Sequence, residues 1–315
     1  MLRLVLLRVV VGAALLLVVS AVVFFVTQAL PGDIARAILG QNATPEQLAR
    51  VRQQLGLDQP AIVQYLHWLG GLISGDWGRS LASGTPVAQL LAVRVGNSAT
   101  VVAIAAIVVL PVGVALGALA ARRAGGVLDH IVSWSVQIIL SLPEFVVGII
   151  LMVLLASWLH LLPPTSPLDP RESAWAQPQL LVLPVATMIL IALPHLTEAT
   201  KTVVRDELGT AYIRWGRLSG LRESRLLWGR ALPRASGPIA QVSGVTINYL
   251  LGGIVAVEVV FSFPGIGSEL VDAVGSRDIP VVQAIAIGIA TVLLITFLIA
   301  DIVAVAADPR RGVRG

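Results

Sequence analysis

The sequence predicts an all-α integral membrane protein with about six transmembrane helices. Hydrophobic residues make up 56% of the chain and charged residues only 13%, whereas a water-soluble domain carries about 25% charged residues. Mean hydropathy is +0.87. Apolar runs long enough to cross a bilayer recur along the whole chain. A hydrocarbon core of about 30 Å, at 1.5 Å of helix per residue, needs about 20 largely apolar residues. Six stretches meet that length: 8–30, 96–121, 131–158, 180–198, 238–261 and 280–305. Glu144 interrupts the third, Glu258 the fifth, and the sixth ends on Asp301.

The first stretch resembles a signal peptide only at its start. Arg3 and Arg8 are followed by an uncharged run from 9 to 32, longer than the usual apolar region of about 7–15 residues. No small-x-small cleavage site closes it, so it is read as a retained helix. The chain has no cysteine, which excludes disulfides, thiolate metal sites, cysteine nucleophiles and a lipid-modified N-terminal cysteine.

An even number of spans puts both termini on one side. The net charge is +4, and the basic residues lie between apolar runs rather than on a soluble face. With the termini inside, 15 of the 22 basic residues fall in inside segments. Five of the others lie in 31–95, which is long enough to translocate regardless of charge, and Arg171 and Arg277 lie in short outer loops. The positive-inside rule therefore predicts cytoplasmic termini. Lys201 is the single lysine, read here as the mark of a GC-rich genome.

The outer segment 31–95 carries one helix signal. Thr44-Pro45-Glu46-Gln47 supplies an N-cap, a proline at the first helical position and a polar first turn, and Gly56 marks a stop. Residues 159–179 are rich in Pro and Ser and read as loop. In 199–236, Val203, Val204, Leu208, Tyr212, Trp215, Leu218 and Leu221 recur three or four apart with charges between them, an amphipathic helical pattern that Gly220 breaks. Such a segment either adsorbs on anionic lipid or docks a cytoplasmic partner.

That segment resembles the coupling loop of ABC importer permeases, whose pattern is EAA, three residues, Gly, nine residues, then I-x-L-P. Gly220, followed by Leu221, takes the Gly position, and Leu232 and Pro233 match the close of the pattern. Arg230 departs from it, and Arg214, Trp215 and Gly216 replace the EAA triplet. Further blocks resemble the B-type permeases of the dipeptide/oligopeptide/nickel importer family along nearly the whole chain. They are ALPGD at Ala29–Asp33, the Thr44–Leu69 stretch, GDWGRSL at Gly75–Leu81, SLPEF at Ser141–Phe145, Leu251–Gln283, and Ala307–Arg310. Glu144 is unusual within its block.

The resemblance implies a type-I importer (MetI-like) core with an extra N-terminal helix. The expected organisation is an N-terminal span at 1–32, an external segment at 33–95, a permease core at 96–307 with its coupling loop at 199–236, and a tail at 308–315. It also implies a second homologous permease, one or two ATP-binding subunits, an external solute-binding protein and surrounding lipid, with no nucleic acid. ATP-Mg would sit in the partner ATPases and no cofactor in this chain. Independently, no G-x-x-x-x-G-K-[ST] loop occurs, since Thr200 precedes Lys201.

Candidate pathway or gate residues are Glu258, Phe263, Pro264, Gly265 and Glu144. For Glu258 the alternative is a structural acid, protonated or paired with Arg277 or a backbone donor. FPGIG could equally be an ordinary Gly/Pro turn. His67 and His160 each lack a second ligand at useful spacing, and no metal site is expected. A membrane hydrolase is disfavoured by the lack of H-E-x-x-H, G-x-S-x-G and cysteine. A secondary carrier using Glu144 and Glu258 lacks a visible inverted repeat. Nickel chelates or haem remain alternative cargoes of the same family.

Overall fold

Apolar runs in lipid satisfy their backbone only as helices or closed barrels, and this chain takes the helical course. The computed structural model describes residues 2–29, 44–54, 58–169 and 172–307. Gly56, Arg171, most of the ALPGD block and the tail from 308 lie outside the described residues. Among those described, five helices are long and apolar enough to span a membrane, and a helix pair bent by 103° makes a sixth if the pair is counted as one span. There is no strand among them, only one isolated bridge between Arg79 and Pro86.

The helices are α1 (Leu2–Ala29), α2 (Pro45–Gln54), α3 (Ala61–Ser74), α4 (Val87–Arg122), α5 (Val127–Leu140), α6 (Glu144–Leu151), α7 (Pro178–Leu208), α8 (Ala211–Leu218), α9 (Glu223–Leu226), α10 (Leu232–Phe261), α11 (Ile266–Ser276) and α12 (Ile279–Ala307). Wide π-helical turns extend α6 over Met152–Trp158 and link α9 to α10 over Leu227–Ala231. The expected spans were shorter than these helices. α4 begins nine residues earlier than 96, and α7 runs ten residues past 198. Helical hydrogen bonding continues beyond the hydrocarbon, where hydropathy no longer marks it.

The chain forms two compact units, one of residues 1–96 and 265–292, the other of 97–264 and 293–315. In the first, α1 is held to α3 by aromatic packing. Phe24 sits 5.5 Å from the Tyr65 ring and 5.4 Å from the Trp68 ring, and Ser20 Oγ lies 2.8 Å from the Tyr65 hydroxyl. Trp68 is thus a packing residue of this cluster. Gln283 Nε2 donates to Thr27 Oγ1 at 2.7 Å, tying α12 to α1. A second small core gathers Val87, Leu91, Ala273, Val281 and Ile285. Beside it, the buried carboxylate of Asp278 accepts from the Ser80 hydroxyl and the amides of Leu81 and Ala82. The N-cap read at Thr44 is present: Gln47 N donates to Thr44 Oγ1, and Thr44 N to Gln47 Oε1.

The second unit is built on α7 and α10, whose packed faces include Met188, Ile191, Leu196, Leu250, Val257 and Phe261. Without a hydrophobic force between helices in lipid, small residues let backbones approach. A Cβ at Gly117 of α4 would stand 2.5 Å from the Thr197 carbonyl, and one at Gly244 of α10 only 2.2 Å from Ala300 Cβ. The third span is not one helix. Proline cannot donate into the helix and clashes with the preceding turn, and at Pro143 the chain turns sharply so that α6 starts afresh.

Candidate functional site

The segment 199–236 holds the residues singled out as a coupling element. α7 ends at Leu208, Gly209 and Thr210 turn the chain, and α8 makes two turns. Its inner side is Ile213, fully buried, and Gly216, packed with Leu226, Ala231, Leu208 and Leu221. A Cβ at Gly216 would come within 2.7 Å of Leu226 Cδ2, so glycine fits this triplet position more closely than the alanine of the family pattern would. Its outer side is apolar and uncovered. Tyr212, Trp215 and Leu218 are 44%, 70% and 82% exposed, whereas Val204 and Leu208, which the sequence pattern places in the same stripe, pack inward.

The turn after α8 depends on Gly220, whose φ is +78°. Gly220 N donates to Arg217 O and Leu221 N to Gly216 O, both at 3.1 Å, which satisfies the last carbonyls of α8. Across the turn Arg217 forms a two-pronged pair with Glu223 at 2.5 and 3.1 Å, and the carboxylate holds the guanidinium above its ordinary pKa. Leu232 is half-buried and Pro233 exposed at the start of α10. Pro233 has no N–H for the carbonyl four residues back, and the π-helical turn sits just before it. Arg230 and Arg234 lie over the Tyr212 ring at 5.2 and 4.7 Å, and Arg234 Nε donates to Glu207 Oε1 at 2.6 Å. That ion pair lines a cleft of about 640 Å³ bounded by Val203, Asp206, Gln241 and Ala304.

The gate candidates lie at the other end of α10. Glu258 is 1% exposed, and the Ser98 hydroxyl donates to its Oε1 at 2.5 Å. Ser262, at φ +50°, ends the helix. Phe263 is wholly buried, its amide donating to the Glu258 carbonyl at 2.8 Å. Asn97 Nδ2 holds the Pro264 carbonyl at 2.8 Å. Gly265 caps α11, with its amide donating to Ser268 Oγ at 3.1 Å. Glu144 opens α6, apart from these groups and half-buried.

A carboxylate as enclosed as Glu258 costs about 2.5–3.5 kcal/mol on insertion scales unless it is held by fixed partners. Glu258→Gln keeps the shape and loses the charge. It should cut the yield of assembled complex several-fold while leaving the substrate profile unchanged; normal yield with an altered profile would assign Glu258 to the pathway instead.

Two groups escaped the sequence reading. Lys201 is buried at the junction of α7 and α5, with Ser133 Oγ at 2.7 Å, Asp129 Oδ1 at 2.9 Å and Glu198 Oε2 at 2.7 Å. The last is a charge contact without hydrogen-bond alignment. Its rarity among 22 basic residues was the available signal. Tyr249 and His195, single polar residues in apolar runs, gave none.

Helices long and apolar enough to cross a membrane, and a short exposed apolar helix on a basic segment, are the features of a multi-pass membrane protein. Residues 113–313 match the family described as binding-protein-dependent transport system inner membrane component. Residues 1–116 match its N-terminal companion family. The chain belongs to this family of binding-protein-dependent transport system inner membrane components. It is 33% identical to the probable peptide ABC transporter permease protein y4tP of Sinorhizobium fredii, over 96% of this chain and 97% of the relative. It is 30% identical to the oligopeptide transport system permease protein AppB of Bacillus subtilis, with the same coverage. It is 32% identical to the glutathione transport system permease protein GsiC of Salmonella choleraesuis, over 93% and 94%.

Proposed function

We propose that this chain is one permease half of an ATP-driven importer of short peptides, and that it receives the ATPase stroke through residues 199–236. The observation that carries the coupling role is the uncovered stripe of Tyr212, Trp215 and Leu218 on α8. Aromatic and aliphatic side chains so exposed on a two-turn helix, with Ile213 and Gly216 anchoring it from behind, fit a cleft on a partner protein better than a lipid surface alone. The relatives' names, peptide, oligopeptide and glutathione, support a small peptide as cargo over a nickel chelate or haem. A proton- or ion-coupled carrier through Glu144 and Glu258 finds no support among these relatives.

In this reading the termini and 199–236 are cytoplasmic, whereas 31–95 and 262–279 face outward. The partners are a homologous second permease, one or two ATP-binding subunits holding ATP-Mg, an external binding protein and lipid. Phe263, Pro264 and Gly265 belong to the outward end of the pathway, and Glu258 is the buried acid that fixes the end of α10 behind them. Because the chain has no cysteine, orientation can be read from one introduced thiol. Ser224→Cys should resist an impermeant external maleimide in intact cells and react once the membrane is opened. Labelling in intact cells would overturn the orientation and, with it, the docking of a cytoplasmic ATPase. Reconstituted alone, the chain should move no peptide, and uptake should require the other subunits and ATP. Uptake by the single chain would establish a carrier.

A further inference from the structure

Three helices of the second unit meet around one carboxylate. Glu144 begins α6 directly after the break at Pro143. Its Oε1 stands 3.5 Å from where a Cβ of Gly253 would be on α10, one turn along from Tyr249, which puts the carboxylate near enough to act on the phenol electrostatically. From α7, the His195 ring lies 5.9 Å from the Tyr249 ring, tilted by 30°. Tyr249 falls at the middle of the apolar stretch 238–261, and His195 near the inner end of the apolar stretch 180–198. All three side chains are half-buried, so each is held in place and still reachable.

The charge balance separates Glu144 from other acids of this unit. Asp129 and Glu198 have Lys201, Glu207 has Arg234, and Glu258 has the Ser98 hydroxyl. Among the described residues no basic side chain pairs with Glu144. An ionisable group placed in a span without an opposite charge is costly and marks a functional site by default. A phenol and an aromatic face beside a carboxylate suit a compact cation, which gains both a charge-assisted hydrogen bond and attraction to the ring face.

We propose that Glu144, Tyr249 and His195 form a station within the membrane that receives the α-ammonium group of a peptide in transit. This rests on the peptide-importer reading. Glu144 supplies the counter-charge, the Tyr249 hydroxyl orients that carboxylate, and the two rings offer π faces to the ammonium.

The test uses the complete transporter in vesicles, with trialanine and N-acetyl-trialanine as probes at concentrations that saturate the binding protein. The intact transporter should move trialanine about tenfold or more faster than the acetylated form, as expected for one hydrogen bond to a charged group. Glu144→Gln should bring trialanine down to the acetylated rate, Glu144→Asp should restore part of the difference, and Tyr249→Phe should lose a smaller part. Complex yield should be the same for all. Equal preference in Glu144→Gln and the intact transporter would overturn the station. Loss of complex yield in Glu144→Gln would also overturn it, by showing that a neighbouring subunit supplies the cation. Failure of the intact transporter to move either probe would instead remove the peptide reading, and the ammonium assignment with it.

Discussion

Leucine at position 220 should leave the complete transporter able to hydrolyse ATP while uptake falls by an order of magnitude or more. Gly220 sits at φ +78° between α8 and α9, a region that costs an L-residue roughly 1–2 kcal/mol. A Cβ there would meet nothing within 4 Å. The side chain is therefore not excluded by the chain's own packing; it would project from the turn that carries Tyr212, Trp215 and Leu218 toward the proposed partner. Three substitutions separate backbone from bulk. Asparagine tolerates the left-handed region best among non-glycine residues and should retain most coupling. Alanine adds the strain with little bulk and should lose about half. Leucine adds both and should uncouple hydrolysis from uptake or release the ATPase. The measurement is substrate-stimulated ATPase activity beside ATP-driven uptake in the same vesicles. Full stimulation and full uptake with leucine would return the segment to a lipid-adsorbed loop.

Sequence could locate this glycine because only one residue type occupies a left-handed turn cheaply. It could not tell which way α8 faces. The apolar period through Leu208, Tyr212, Trp215 and Leu218 reads as one continuous stripe for lipid or a partner, yet the break at Gly209 and Thr210 re-aims the helix, so that Leu208 packs inward with Ile213 and Gly216 while Tyr212, Trp215 and Leu218 face out. The spans were legible for a simpler reason, since lipid demands long apolar runs of any chain that crosses it. Pro143 announced a kink, but a 103° turn depends on what α5 and α6 pack against. Glu258 could be flagged as a costly carboxylate, whereas Ser98, its hydroxyl partner 160 residues away, carries no mark in a run of small residues. The Glu144 cluster draws on positions 144, 195 and 249, which only the packing of α6, α7 and α10 brings together.

Lys201 shows how much a single position can hide in composition. Replacing it with methionine keeps the length of the side chain and removes the ammonium, leaving Asp129 and Glu198 facing each other's side of the site without a cation. Breaking a buried ion pair from one side costs about 3–5 kcal/mol. At about 2–4 °C per kcal/mol for a domain of this size, the melting temperature of the purified complex should fall on the order of 10 °C. Arginine should not rescue it fully. The three oxygens stand at 2.7, 2.9 and 2.7 Å around one nitrogen, a shell that fits a compact point charge rather than a planar fork. Backbone leaves little space to shift, because a Cβ at Gly117 of α4 would already stand 3.0 Å from Lys201 N. Asp129 also accepts from Gly125 N at 2.8 Å, so the same network fixes the turn between α4 and α5. The double substitution Lys201→Met with Asp129→Asn removes one orphaned charge and should recover part of the loss. Equal melting temperatures for the intact protein and Lys201→Met would show that the junction is solvated and that the cluster contributes nothing to holding α5 against α7.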